Sequence, residues 1–231
     1  MKGYGQFCPI AKASEIITER WTPLILRELI CGSTRFNDLR RGVPLMSTAL
    51  LARRLKSLEE QGVIERRPLP SGRGADYLLT EAGRELEPIV MAMGEWGARW
   101  ARSRLTEDDL DPALLLWDIH RQAKPENFPP GRTVIAFEFT DVPTVRRQWW
   151  LISERAEGSV DLCATDPGFE VDLVVFATIR AMTAVWLVER SLEAALAADD
   201  IELAGPSALC RAFGAWLGLS PFAAVPDRRG A

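Results

Sequence analysis

Histidine occurs once in the 231 residues, at His120, and that scarcity removes more chemistry than any other feature of the composition. With a single imidazole, on a predicted connecting helix, Ser/His and Cys/His catalytic schemes and histidine-based zinc sites have nothing to draw on. The four cysteines, Cys8, Cys31, Cys163 and Cys210, are scattered without a C-x-x-C pair, so neither a disulfide framework nor a thiolate metal cage is indicated. No apolar run approaches the roughly 20 residues that cross a bilayer, and no signal peptide is legible, so the expected setting is the reducing cytoplasm. Gly72-Arg73-Gly74 is too short for a phosphate loop, and repeats and low-complexity tracts are missing. The carboxylates Asp161, Asp166, Glu170 and Asp172 cluster in sequence, yet strand alternation spreads them over two faces. No enzyme, metal or cofactor is expected.

What is present is unevenly charged. Residues 1–105 hold 17 Lys+Arg against 12 Asp+Glu, a balance of +5; residues 106–231 hold 11 against 20, a balance of −9. The net −4 therefore hides a basic half joined to an acidic one, which suits a nucleic-acid-binding module tethered to a part that does not touch nucleic acid.

The informative stretch runs from Thr34 to Tyr77. It predicts a short helix over Arg35–Arg41, a turn at Gly42-Val43-Pro44, a longer helix capped by Ser47 or Thr48 and stopped at Gly62, then a hairpin. Leu51, Leu55 and Leu58 share one helical face and belong in a core. Ala49, Ala52, Arg53 and Lys56 fall on or near the opposite face, small residues beside cations. The runs Val63–Arg67 and Ala75–Leu79 alternate as strands, and the loop between them carries Arg73 at its tip. Helix, turn, helix and basic hairpin is the layout of a winged helix-turn-helix, whose second helix enters the major groove. The candidate DNA contacts are Thr48, Ala49, Ala52, Arg53 and Lys56 on base edges or the adjacent backbone, Arg35 and Ser47 on phosphates, and Arg73 in a minor groove.

Before this stretch, residues 9–19 read as a short helix. Trp21–Cys31 reads as another, with Thr22 as cap, Pro23 at its first position and Gly32 as its stop. Trp21, Leu24, Ile25 and Leu29 are the expected back wall for the recognition helix. After the hairpin, Thr80–Trp100 reads as one long helix with an apolar stripe of Leu86, Ile89, Val90, Met93, Trp96 and Trp100, suited to pairing with a second copy in a homodimer.

Cys8-Pro9-Ile10, Glu19-Arg20-Trp21-Thr22, Leu24-Ile25-Leu26-Arg27-Glu28-Leu29, Arg35-Phe36-Asn37-Asp38-Leu39, Gly62-Val63-Ile64 and Tyr77…Leu79-Thr80-Glu81-Ala82-Gly83 together resemble the HxlR family of bacterial transcription regulators. The likeness covers about residues 7–103 and implies a dimeric winged-helix regulator of operator DNA. Glu19-Arg20 departs from the Gly-Lys-like pair common in the family. The resemblance also places Cys8 where some members carry a redox-sensing thiol, although packing under the dimer helix is what buried free thiols generally do.

Beyond an acidic turn at Thr106–Pro112, a connecting helix over Ala113–Arg121 and a breaker at Lys124–Gly131, the period becomes alternating. Strands are predicted at Thr133–Thr140, Arg147–Ser153, Ser159–Thr165, Glu170–Phe176 and Ile201–Leu203, with helices at Thr178–Glu189, Ser191–Ala198 and Pro206–Leu217. The expected fold class is α+β in two domains: a winged helix over 1–105, a connector over 106–131, an antiparallel sheet with helices on one face over 132–222, and a tail over 223–231. Trp149-Trp150-Leu151, Val160-Asp161-Leu162, Val171-Asp172-Leu173, Leu192…Ala195-Leu196 and Leu209…Phe213…Trp216-Leu217 resemble the sterol carrier protein-like domain. That likeness implies an apolar tunnel for a hydrophobic small-molecule effector, with Trp149, Trp150, Trp186, Phe213 and Trp216 as candidate walls. The alternatives are a lipid-binding or transfer protein that uses the winged helix as a dimerisation scaffold, and a regulator sensing oxidants through Cys8.

Overall fold

The computed structural model describes residues 3–101 and 105–226. The expectations for Arg102–Arg104 and for the last five residues of the tail therefore lie outside the described residues. The chain divides into two compact units, up to Trp96 and from Gly97.

In the first unit, α1 (Pro9–Ile17), α2 (Thr22–Ile30), α3 (Phe36–Gly42) and α4 (Thr48–Glu60) precede a hairpin of β1 (Ile64–Pro68) and β2 (Ala75–Leu79). Ile25, Leu26, Leu39, Val43, Leu51, Leu55 and Leu58 form its core. Leu24, expected in the back wall, is exposed, and Leu26 takes its place. The cap of α2 also differs from expectation. Thr22 is already helical, its hydroxyl is buried without a partner among the described residues, and the capping position belongs to Trp21 at φ 80°. A left-handed conformation on so bulky a residue costs on the order of 1–3 kcal/mol and persists only where its surroundings enforce it. The stretch expected as one helix from Thr80 is broken at Glu85-Leu86 into α5 (Glu81–Arg84) and α6 (Glu87–Trp100). Pro88 has no N–H to continue the ladder but fits the first turn of a new helix.

One buried polar cluster fixes the α2–α3 angle. Glu28 is fully buried and accepts from Arg27 at 3.0 and 2.7 Å, while Arg27 also donates to the Gly42 carbonyl at 2.9 Å. Gly42 packs on that carboxylate so closely that an added Cβ would lie 1.8 Å from the Glu28 carboxyl carbon.

The second unit holds α7 (Pro112–Gln122), β3 (Arg132–Phe139), β4 (Gln148–Glu154), β5 (Ser159–Cys163), β6 (Leu173–Ala177), α8 (Ile179–Trp186), α9 (Leu192–Ala197), β7 (Ile201–Ala204) and α10 (Ser207–Trp216). The five strands lie in the order β5-β4-β3-β6-β7. The sheet is mixed, which corrects the antiparallel expectation: β6 runs parallel to β3, with Ile135 opposite Leu173 and Phe139 opposite Ala177. The cause is visible in β3, whose Thr133, Val134, Ile135, Phe137 and Phe139 are all buried. Thr133, Ile135, Phe137 and Phe139 bury one face of β3 under the helices and Val134 is buried on the other. This strand therefore sits at the sheet centre with β4 on one edge and β6 on the other, and the chain crosses back after β5 and does not add a hairpin. The helices gather on one face, where Leu116, Ile119, Phe137, Phe139, Met182, Ala195, Phe213 and Trp216 share one core. Thus α7, expected as a connector, is built into this core.

Candidate nucleic-acid interface

The local sequence around α4 explains its exposed face. Ser47 is extended and its hydroxyl accepts from the Leu50 N–H at 3.3 Å, so the helix starts at Thr48. The three leucines are buried, which leaves Thr48, Ala49, Ala52, Arg53 and Lys56 exposed on the side turned from the core. Arg53 and Arg73 make no ion pair among the described residues; Lys56 lies 3.6 Å from Glu60 one turn on. Alanines at positions 49 and 52 let the helix backbone approach a groove floor, and the free arginine beside them can present two parallel donors to a guanine edge. Arg73 stands between Gly72 at φ 71° and Gly74 at φ 92°, which turn the hairpin tip.

Arg35, expected on a phosphate, is also engaged within the unit. Its Nε lies 2.9 Å from Asp76 Oδ1 on β2, and the two residues form a β-bridge. Thr34 strengthens the same joint: its hydroxyl donates to Asp76 Oδ1 at 3.0 Å and its carbonyl accepts from the Tyr77 N–H at 2.9 Å. The wing is therefore fastened to the turn before α3. Sequence reasoning missed Asp76, because the pair is separated by 41 positions and only folding brings it together. Arg54 was missed too: it pairs with Glu19 across the unit and donates to the Arg20 carbonyl at 3.4 Å.

The candidate ligand residues of the second unit do not form a single wall. Phe213 and Trp216 are 1% and 2% exposed, and the Trp216 indole stacks on Phe128 at 5.0 Å and donates to the Asn127 carbonyl. Trp149 and Trp186 are half-buried against the same core. Trp149 donates to the Arg146 carbonyl, whereas Trp186 Nε1 is buried with no partner among the described residues. Trp150 alternates onto the other sheet face, paired with Ala136 and Cys163. Two members of the acidic cluster have structural work: Asp172 accepts from the Val134 N–H and Asp166 from the Gly168 N–H, each at 2.8 Å. The His120 ring stacks on Trp117 and its Nε2 lies 2.8 Å from the Val160 carbonyl. Cys8 is a free, partly exposed thiol just before α1.

A short helix, a tight turn, a capped cation-bearing helix and an arginine-tipped hairpin, bridged back to the first turn, define a winged helix-turn-helix DNA-binding module. Residues 16–104 match the family model described as HxlR-like helix-turn-helix, and the chain belongs to this family of transcriptional regulators. It is similar to the HTH-type transcriptional regulator YvaP of Bacillus subtilis, at 36% identity over 112 residues, which is 48% of this chain and 95% of that protein. It is similar also to sll1512 of Synechocystis sp., at 36% identity covering 46% and 79%, and to YodB of Bacillus subtilis, at 35% identity covering 38% and 81%. Among solved structures, the redox regulator HypR in its oxidised form shares 36% identity over 39% of this chain and 94% of that one, with a TM-score of 0.37. No described helix is long and apolar enough to cross a membrane.

Proposed function

We propose that the chain binds operator DNA as a homodimer, with α4 in the major groove and the wing on the adjacent minor groove, and that a hydrophobic small molecule bound in the C-terminal unit modulates this binding. The observation that carries the DNA-contact assignment is the α4 face itself: exposed, narrow at Ala49 and Ala52, and bearing an arginine with no ion partner among the described residues. Thr48, Ala49, Ala52, Arg53 and Lys56 meet the groove, Ser47 lies at its rim, Arg73 enters the minor groove, and Arg35 acts mainly as a fastening for the wing. Support for the dimer comes from Ile89, Met93 and Trp96, which line one side of α6 and are 44%, 50% and 60% exposed. A second copy would cover that row and set two recognition helices about one helical turn of DNA, roughly 34–36 Å, apart. Each phosphate neutralised adds roughly 0.9 to the slope of log affinity against log salt. A duplex selected from random sequence by the chain should therefore lose affinity steeply in a salt titration. Affinity unchanged over tenfold more salt would sink the assignment.

The ligand reading rests on the likeness to sterol carrier protein-like domains, on a sheet covered by helices on one side, and on Trp186 Nε1, a buried donor that an amphipathic guest could satisfy. Binding would stabilise the unit as RT ln(1 + [L]/Kd), so a raised melting temperature with fatty acids or sterols, together with altered operator affinity, is the expected result. A second reading assigns the signal to Cys8, which is a free and partly exposed thiol. Under it an oxidant shifts operator affinity in the parent chain and not in Cys8→Ser.

A further inference from the structure

We infer that the corner between α1 and α2 is an additional DNA-backbone contact, in which Arg20, seated on the Trp21 indole, takes a phosphate at the rim of the groove occupied by α4. The inference rests on the DNA-binding reading of α4 and extends it to residues outside the helix-turn-helix.

Three observations converge on this corner. The first is its anchoring. Arg54, the next residue along α4 from Arg53, ion-pairs with Glu19 and donates to the Arg20 carbonyl at 3.4 Å, so the corner backbone is bolted to the flank of the recognition helix. The second is its conformation. Trp21 holds φ 80°, and the turn is closed by the Thr22 N–H on the Glu19 carbonyl at 2.9 Å and the Ile25 N–H on the Trp21 carbonyl at 3.0 Å. A bulky residue in this region of backbone space is rare enough to mark a shape enforced by its neighbours. The third is charge. The Glu19 and Arg54 side chains are only 12% and 20% exposed and match each other, while Arg20 is exposed and has no ion partner among the described residues. Its guanidinium carbon lies 5.3 Å from the Trp21 ring centroid. Stacking holds a long side chain in one region of space, which lowers the rotamer entropy lost when it meets a ligand.

The size of the groove decides what Arg20 reaches. A helix with its side chains is roughly 10–12 Å across, and the B-DNA major groove is about 12 Å wide. A group fixed to the flank of a helix that fills the groove meets the wall, which is phosphate, and not the floor, which is base edges. Such a contact positions the protein without reading sequence. Arg20 is then a DNA-contacting residue, and Glu19 and Arg54 are positioning residues. The acidic residue at position 19 does not oppose DNA there because Arg54 already matches its charge.

The test uses the full chain and two labelled duplexes, one selected from a random pool by the parent chain and one scrambled version of it, each titrated with salt. Arg20→Ala should weaken both duplexes by a similar factor and lower the salt slope by about 0.9, one phosphate's worth. Arg20→Lys should keep the slope. Arg54→Leu, which leaves Glu19 unmatched beside Arg20, should lower the slope by up to about the same 0.9 as Glu19 draws Arg20 off the phosphate, and adding Glu19→Gln should recover part of it. Circular dichroism and thermal unfolding of each variant separate loss of fold from loss of contact; should Arg54→Leu not fold, the Arg20 pair carries the test alone. An unchanged slope in a folded Arg20→Ala protein overturns the inference, as does a loss confined to the selected duplex. If Arg53→Ala loses binding while Arg20→Ala equals the parent, only this inference fails; if the parent itself shows no salt-dependent binding, the DNA reading fails with it.

Discussion

In the N-terminal unit, ion pairs tie one element to another: Arg54 to Glu19 and Arg35 to Asp76 join pieces distant in sequence, and Arg27 with Glu28 sets the turn at Gly42. In the C-terminal unit ion pairs such as Arg132 with Glu154 and Arg146 with Asp111 also join elements, but the core beneath the helices is built of rings: Phe128, Phe137, Phe139, Phe213 and Trp216 contact one another there. The difference follows from what each unit has to leave outside. A module that presents small residues and cations on its main helix has few large side chains to spend inward, so polar joints fix its angles. A unit with no such duty can place its aromatics in one core.

The comparison can be broken most forcefully at Phe213. Phe213→Ala should cost about 3–5 kcal/mol in the C-terminal unit and leave DNA affinity without effector near the parent value; calorimetry and a binding titration on the same sample check both halves. Next is Arg53→Ala, expected to cost about 1–3 kcal/mol of discrimination if it reads guanine, with both unfolding transitions unmoved. Ser47→Ala removes a helix cap and should lower the stability of the first unit by about 1 kcal/mol, seen as a shifted urea midpoint. Asp76→Ala should cost less, about 0.2–1 kcal/mol for an exposed pair. It should nevertheless raise the salt slope by about 0.9, because Arg35 is released to meet phosphate. The smallest effect concerns acid.

Glu15 is held below the usual carboxylate range by the Lys12 ammonium, then by the Tyr4 N–H; Asp109 is held down by the Thr106 N–H and hydroxyl. A carboxyl lowered in the folded state adds stability above its unfolded pKa and loses it as pH falls through the folded value. Glu15→Gln should therefore make the first unit, and Asp109→Asn the second, slightly less sensitive to acid, measured as urea midpoints at about pH 7 and about pH 3.

Most of the first unit was legible because its signals are local. Leucines at i, i+4 and i+7, a serine before them and a glycine after them specify α4 without reference to any other element. The Trp21 cap was not legible, since nothing in a run with Thr22 and Pro23 announces a left-handed tryptophan. In the second unit the strands could be read to within a few residues, the one expected from Glu170 beginning at Leu173, but strand order could not. The parallel pairing of β3 with β6 depends on which edges remain free after β4 and β5 have docked. The same limit applied to the site. Arg53 and Lys56 follow from a helical wheel, whereas the role of Arg35 hinges on Asp76 arriving beside it.

The contact between Gly42 and the Glu28 carboxyl group has a consequence for how the turn can vary. Enlarging position 42 first drives a methyl group into a carboxylate, and shortening position 28 first strands the Arg27 guanidinium. Neither single step is easy, so the two sites should covary among descendants of this chain. A library randomised at position 42 alone should return glycine, while one randomised at both positions should yield compatible couples.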